Sequence, residues 1–232
     1  ISAIIYPLVV KKTTTWIEVP LAFLAGVVVF ILGSDQLIDK AETSVITRSD
    51  GMLLLLFFMI FLAYNYLLMK KGDFSDDTIV KNVAPLKAVL LVLAGIVLLV
   101  AGGRMIVYSA IQVASLLGIS ERIIALTIVS AGTSLPELAT SIVAARKKNT
   151  DIAVGNIVGS NIFNIFFILG TSAVIYPVTV HSSAIVDMMT NLVLSLLIFF
   201  FIFTGKGRRL DKWEGLFLVF LYALYLGYLI FS

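Results

Sequence analysis

The sequence predicts an all-α membrane protein built from inverted five-helix repeats. Three observations support this fold class. First, 60% of the 232 residues are hydrophobic and the mean hydropathy is +1.07, whereas soluble domains are about 45–50% apolar. Second, a ten-residue segment at the start of the chain recurs in its second half. Third, the basic residues are concentrated in alternate loops between the apolar stretches.

Apolar stretches long enough to cross a membrane recur along the whole chain, since about 20 helical residues span roughly 30 Å of hydrocarbon. They leave no room for a separate soluble domain. Two stretches exceed the minimum span, 85–115 and 119–147, so tilt, breaks or extension beyond the bilayer are expected there. The predicted helices cover 17–33, 52–69, 85–115, 119–147, 152–177, 183–204 and 212–231.

The chain contains an internal repeat. ISAIIYPLVV at residues 1–10 and TSAVIYPVTV at residues 171–180 are identical at six of ten positions. Each segment is followed by a helix, a charged loop and an acidic residue next to a glycine, which begins a last helix. We therefore interpret 1–70 as the C-terminal part of a first repeat (the end of helix 3, then helices 4 and 5) and 85–232 as a complete second repeat (helices 6–10). Residues 71–84 are the predicted cytoplasmic loop between them.

The two repeats are unequal in length, because about 88 residues precede TSAVIYP in the second repeat and none precede its counterpart. The chain also begins with Ile, so we expect a parent protein of about 320 residues with ten helices. Its first two helices and most of the third would precede residue 1. Five helices per repeat place the two copies in opposite orientations. This is the design of many secondary transporters, whose sites lie near mid-membrane at the repeat interface.

The loop charges predict the orientation in the membrane. One set of alternate loops holds most of the Lys and Arg residues, and the positive-inside rule makes this set cytoplasmic. Both ends of the protein are then outside. The other loops hold only Lys40, Arg48 and Arg122, while Arg104 falls inside the stretch 85–115 and could snorkel, form a pair or mark a helix end. The cytoplasmic set is Lys11, Lys12, Lys70, Lys71, Lys81, Lys87, Arg146, Lys147, Lys148, Lys206, Arg208, Arg209 and Lys212.

The stretch 119–147 is interrupted by the polar sequence GTSLPEL at residues 132–138. Pro136 has no backbone N–H and its ring crowds the carbonyl four residues earlier, so the helix must bend or break. Carbonyls around Ser130 are then released from the helix, which lipid tolerates only where protein, water or an ion satisfies them. Glu137 follows Thr133 and Ser134 at helical spacings of four and three, so we expect all three on one face.

The oxygen atoms of this segment form a hard ligand set, which suits Ca²⁺ and Na⁺ rather than soft metals. For a single Ser or Thr, a hydrogen bond to the helix backbone is an equally good explanation. Glu137 is different, because a carboxylate in a membrane helix costs about 2.5–3.5 kcal/mol and is a functional candidate by default.

The next helix carries a polar stripe at intervals of four residues, formed by Asn156, Ser160 and Asn164. Gly155 and Gly159 have the same spacing and would permit close approach of another helix. We expect this stripe to face Glu137.

The composition excludes several kinds of site. The chain has no Cys and a single His, His181, which excludes disulfides and thiolate sites and disfavours His-based zinc or iron sites. A hydrolase using Ser134 lacks a visible His or Lys base. A passive channel would not need a buried carboxylate. The basic residues are topology signals, so we expect no nucleic-acid partner, no cofactor and no enzymatic activity.

The segment AGTSLPELATSIVAARKKNTDIAVGNIVGSNIFNIFFILG closely resembles the second α-repeat of the calcium/cation antiporter superfamily, and within it the prokaryotic sodium/calcium exchangers. The match runs from about Gly95 to Gly170. The resemblance implies a ten-helix antiporter of the inner (plasma) membrane that exchanges Ca²⁺ for Na⁺. Exchange of Ca²⁺ for H⁺ on the same scaffold, or a K⁺-dependent variant, is the alternative.

The resemblance also implies a set of ion ligands. The glutamate of GTSxPEL, which binds Ca²⁺ and competing Na⁺ in the family, corresponds to Glu137. Some relatives have an aspartate where this chain has Asn164, which leaves the stoichiometry open. A glutamate of the first repeat would form the other half of the site, so the preceding segment of the same protein is an expected partner. The full ligand set implied is Glu137, Thr133, Ser134, Ser160 and Asn164, with the backbone carbonyl of Ser130.

Overall fold

The computed structural model describes residues 1–71, 84–119, 124–181, 183–204 and 207–231. Within these residues, six helices are long and apolar enough to cross a membrane, and a bent pair of shorter helices would make a seventh. The helical membrane fold predicted from the sequence is confirmed. The basic residues Lys81, Arg122 and Lys206, and most of the loop 71–84, lie outside the described residues.

The helices match the predicted apolar stretches closely, because the length and hydropathy of a stretch determine where a membrane helix begins and ends. Four short strands lie between the helices and form two antiparallel pairs, β1 with β4 and β2 with β3. The strands are β1 (Leu8–Val9), β2 (Ser44–Ile46), β3 (Val178–Val180) and β4 (Arg209–Leu210). The helices are α1 (Ser2–Ile5), α2 (Thr14–Leu32), α3 (Asp35–Ile38), α4 (Arg48–Lys71), α5 (Pro85–Leu116), α6 (Ser130–Thr133), α7 (Leu135–Arg146), α8 (Thr150–Ile175), α9 (Ala184–Thr204) and α10 (Lys212–Phe231).

Some of these helices contain π-helical turns. In α2 the turn covers Thr14–Glu18, in α8 it covers Phe163–Leu169, and another at Ala125–Val129 precedes α6. Such turns insert a residue into the α-helical register and often occur at functional sites.

The apolar core lies where α2, α4, α8 and α9 meet. Phe166 and Ile162 of α8 are fully buried beside Leu54 of α4, and Ile202 of α9 is 2% exposed. Phe57 stacks on Phe166 with ring centroids 5.4 Å apart. This core holds α8, and therefore the polar residues on it, in a fixed position.

The two copies of the repeated decapeptide adopt the same conformation. Tyr6 ends α1 with φ −146° and ψ 130°, and Tyr176 ends α8 with φ −144° and ψ 126°. Their helical contacts are reciprocal: α1 packs against α10, and the end of α8 packs against α4. This exchange of partners is consistent with inverted repeats, which remain a prediction.

Helix α5 is largely unpacked, as its most apolar 18-residue window has no buried residue. It contacts the bent pair α6 and α7. A Cβ on Gly132 would lie 2.0 Å from Val107 Cγ2, and a Cβ on Gly103 would lie 3.7 Å from the Pro136 ring. These glycines bring α5 against the bend.

A hydrogen bond joins the last two membrane helices, from the hydroxyl of Tyr225 to Asp187 Oδ1 at 2.7 Å. We expect Tyr225→Phe to lower the free energy of unfolding by about 1.5–3 kcal/mol, because a hydrogen bond to a charged group is lost. Thermal unfolding in detergent measures this. Tyr222→Phe is the control, since the described residues offer Tyr222 no hydrogen-bond partner. Equal shifts in the two variants would contradict the prediction.

Candidate ion-binding site

The site is built around a break between α6 and α7, where the axis of Thr127–Thr133, the segment that ends with α6, differs from that of α7 by 52°. Ser134 separates the two helices, with φ −93° and ψ 2°. Its N–H donates to Ala131 O at 3.1 Å, whereas a regular α-helix would use the carbonyl of Ser130. Pro136 lies in the first turn of α7, where a missing N–H is tolerated. The break predicted from Pro136 is therefore confirmed.

The side of the break that faces α8 opens on a cavity of about 290 Å³. Four predicted ligands line it together: Ser134 and Glu137 from the bent segment, and Ser160 and Asn164 from α8. The full lining is Ile1, Ser2, Ser134, Glu137, Leu138, Ser141, Ile157, Ser160, Asn161 and Asn164. The cavity thus presents carboxylate, hydroxyl and amide oxygens at one place.

Glu137 is half-buried, and its Oε2 atom is buried. No group in the described part of the chain donates a hydrogen bond to Oε2. A buried carboxylate oxygen without a partner is costly, so Oε2 is available to bind a cation.

Thr133 does not share this cavity, contrary to the expected common face. It lines a separate cavity of about 560 Å³ beside α5, with Val107 and Arg104. The spacing rule assumed one continuous helix, and the break at Ser134 changes the direction of the chain between Thr133 and Glu137. Only the backbone of Ser130 is described, as the first residue of α6.

The three polar residues of the predicted stripe on α8 do not all line the cavity. Ser160 and Asn164 reach the cavity, and the hydroxyl of Ser160 donates to Ile157 O at 3.0 Å, which leaves its oxygen able to bind a cation. Asn164 lies in the π-helical turn of α8. Asn156 instead donates from Nδ2 to Glu137 O and to Ser141 Oγ, both at 3.0 Å. It contacts the backbone of the site, a role that its spacing alone did not reveal.

Asp187 and Glu18 are further carboxylates within membrane helices, and neither is among the residues that the sequence predicts to bind an ion. Asp187 accepts the hydrogen bond from Tyr225. Glu18 lines a cavity of about 490 Å³ between α2, α4 and α8, beside a 2.6 Å ion pair between Lys11 Nζ and Asp151 Oδ2. Their positions inside the predicted spans 17–33 and 183–204 could have drawn attention to them.

No group of three or more His, Cys, Asp or Glu that could hold a metal ion occurs among the described residues. The cavity at Glu137 contains one carboxylate, so it offers part of the shell of 6–8 oxygens that Ca²⁺ prefers.

Comparison with known proteins identifies the family. The sequence profile described as sodium/calcium exchanger protein matches residues 87–231. CaxA of Alkalimonas amylolytica is 33% identical over 243 residues, covering 100% of this chain and 72% of the relative. The chain belongs to the sodium/calcium exchanger family. Family members are antiporters rather than enzymes, and the chain is a multi-pass membrane protein.

The matches to other relatives cover a smaller share of each relative's length. The sodium/calcium exchanger MaX1 of Methanosarcina acetivorans is 39% identical over 128 residues, which are 55% of this chain and 36% of that protein. The inner membrane protein YrbG of Escherichia coli is 36% identical over 187 residues, 55% of its length. In structure, the sodium-calcium exchanger NCX_Mj matches with a TM-score of 0.76 and 27% identity, over 97% of this chain and 69% of that one.

Proposed function

We propose that this chain is the larger part of an antiporter that exchanges Ca²⁺ for Na⁺ by alternating access, with Glu137 as the central ion ligand. The observation that carries the proposal is the buried Oε2 of Glu137, which lacks a hydrogen-bond donor in the described structure and lies in a cavity with Ser134, Ser160 and Asn164. Such oxygens are ligands that Ca²⁺ and Na⁺ prefer. The family profile and the names of MaX1 and NCX_Mj support the choice of ions.

The carboxylate explains exchange in physical terms. Ca²⁺ and Na⁺ compete for the same oxygens, so only one kind of ion can occupy them at a time. An empty site leaves a buried negative charge, which is costly and opposes the switch between the two sides of the membrane. The protein therefore changes sides when loaded, and it exchanges rather than leaks.

The site is completed, in this proposal, by a glutamate of a first repeat, since one carboxylate leaves a Ca²⁺ ion with an uncompensated charge. The proposed division is 1–70 for the end of the first repeat, 71–84 for the loop and 85–232 for the second repeat. The reciprocal packing of α1 on α10 and of α8 on α4 supports it. The backbone carbonyl of Ser130 and the hydroxyl of Thr133 stay in the proposed ligand set because the resemblance to the exchangers implies them, although Thr133 lines a different cavity here.

Ion coupling is tested on the full-length protein in proteoliposomes. We expect Ca²⁺ uptake when Na⁺ is loaded inside and diluted outside, and no uptake under a pH gradient alone, because Na⁺ replaces Ca²⁺ at the oxygens of Glu137. Uptake is followed with ⁴⁵Ca²⁺.

The controls change which ion gradient drives uptake. Uptake under the pH gradient without Na⁺ would instead assign Ca²⁺/H⁺ exchange, and a requirement for K⁺ inside would assign the K⁺-dependent variant. Ca²⁺ flux that neither saturates nor needs a counter-ion would assign a channel and overturn the proposal.

A further inference from the structure

We propose that Asn156 is a positioning residue that fixes the backbone at Glu137 and leaves its carboxylate free for the transported cation. The inference rests on the proposed function, because it assigns Asn156 a part in that site. Asn156 lies on α8, one turn before Ser160, and is half-buried where α8 packs on α7.

Both acceptors of Asn156 are on α7. Its Nδ2 atom lies 3.0 Å from Glu137 O and 3.0 Å from Ser141 Oγ. The two acceptors are four residues apart, one turn of helix, and Ser141 is 2% exposed. One amide group therefore ties two successive turns of α7 to α8.

The hydrogen bonds of Asn156 restrain the first turn of α7, which the break leaves weakly held. The first turn of α7 has Ser134 as its N-cap, without a side-chain cap hydrogen bond. Pro136 cannot donate, so the turn that carries Glu137 has few anchors of its own. A hydrogen bond from a neighbouring, well-packed helix restricts that turn, and with it the Glu137 side chain.

The choice of acceptors also keeps the carboxylate available. An Asn amide has two N–H donors, and here one serves the carbonyl of Glu137 and the other Ser141. Neither reaches Oε2, which has no donor among the described residues. An amide bonded to the carboxylate would compete with an incoming cation, whereas a bond to the backbone orients the group without neutralising it.

The test uses Asn156→Ala in the full-length protein, assayed as Na⁺-driven ⁴⁵Ca²⁺ uptake in proteoliposomes. We expect the KM for Ca²⁺ to rise about fivefold to tenfold, the equivalent of one net hydrogen bond. The maximal rate should stay within about twofold, since the ligands themselves are intact.

The matched control is Asn149→Ala. Asn149 caps the same helix, with Oδ1 accepting from Ile152 N at 3.2 Å, and it does not line the cavity that holds Glu137. Loss of this cap should lower the midpoint of thermal unfolding and leave the KM for Ca²⁺ unchanged. An equal rise of KM in both variants would mean that Asn156 acts through the stability of α8, and the inference would be wrong.

Asn156→Asp serves if the alanine variant does not fold, because it has the same shape. An ionised Asp cannot donate to the Glu137 carbonyl, so positioning predicts a higher KM for Ca²⁺. Its charge alone would attract Ca²⁺ and lower the KM. A KM that falls or stays unchanged while the wild type is active overturns this inference alone. An inactive wild type would instead overturn the proposed function, and this inference with it.

Discussion

Glu137→Gln should abolish Na⁺-driven Ca²⁺ uptake, with a loss of at least about 100-fold at wild-type saturating Ca²⁺. Glutamine keeps the shape of the side chain but removes the negative charge next to the cation. Two unit charges 4 Å apart interact by about 4 kcal/mol at an effective dielectric constant of 20, and a divalent ion in contact loses more. The measurement is ⁴⁵Ca²⁺ uptake into proteoliposomes containing the full-length protein.

The substitution should leave the fold intact, since Oε2 of Glu137 has no hydrogen-bond donor to lose in the described structure. A glutamine amide in its place removes a buried charge, so the thermal midpoint should be equal to or above that of the wild type. A variant that folds but does not transport would separate ion binding from stability.

Glu18→Gln is the matched control for this prediction. Glu18 is also a carboxylate within a membrane helix, but it lines a different cavity, with Lys11 and Asp151. If Glu137 acts as an ion ligand, Glu18→Gln should keep most of the exchange. Equal loss in both variants would point to a general need for negative charge. Full activity of Glu137→Gln would remove Glu137 from the site.

The fold could be predicted from the sequence to a large extent because hydrocarbon thickness and hydropathy set the helices directly. The predicted stretches 85–115 and 212–231 correspond to Pro85–Leu116 and Lys212–Phe231. The break could also be predicted from the sequence, since a Pro inside a helix removes a backbone hydrogen bond and bends or breaks the helix.

The side-chain directions near the break could not be predicted in the same way. Thr133 and Glu137 are four residues apart, yet they line different cavities. The rule that places i and i+4 on one face holds only inside a continuous helix, and Ser134 interrupts it. Asn164 lies in a π-helical turn, where the period also changes. The partners of Asn156 depend on how α7 and α8 pack, and a single sequence does not encode that packing locally.

Gly51→Ala should destabilise the protein strongly, by about 3 kcal/mol or more, at the upper end of overpacking costs. Gly51 lies in the first turn of α4, where α4 packs against the end of α8. A Cβ there would lie 2.7 Å from Gly170 O and 2.8 Å from Val174 N. Both are backbone atoms, so relief requires one whole helix to move. Thermal unfolding in detergent, followed by size-exclusion chromatography of the heated sample, measures the effect.

Gly95→Ala is the matched control, because nothing lies within 4 Å of a Cβ at that position on α5. Alanine is favoured over glycine in a helix by about 1 kcal/mol, so this variant should be as stable as the wild type or slightly more so. Gly215→Ala should fall between the two, since its Cβ would meet the side chain of Ala3 at 3.0 Å and no backbone atom closer than 3.4 Å. The expected order of stability is therefore set by what each new methyl group touches. A Gly51→Ala protein as stable as the Gly95→Ala protein would mean that α4 and α8 do not cross as closely as the structure has them.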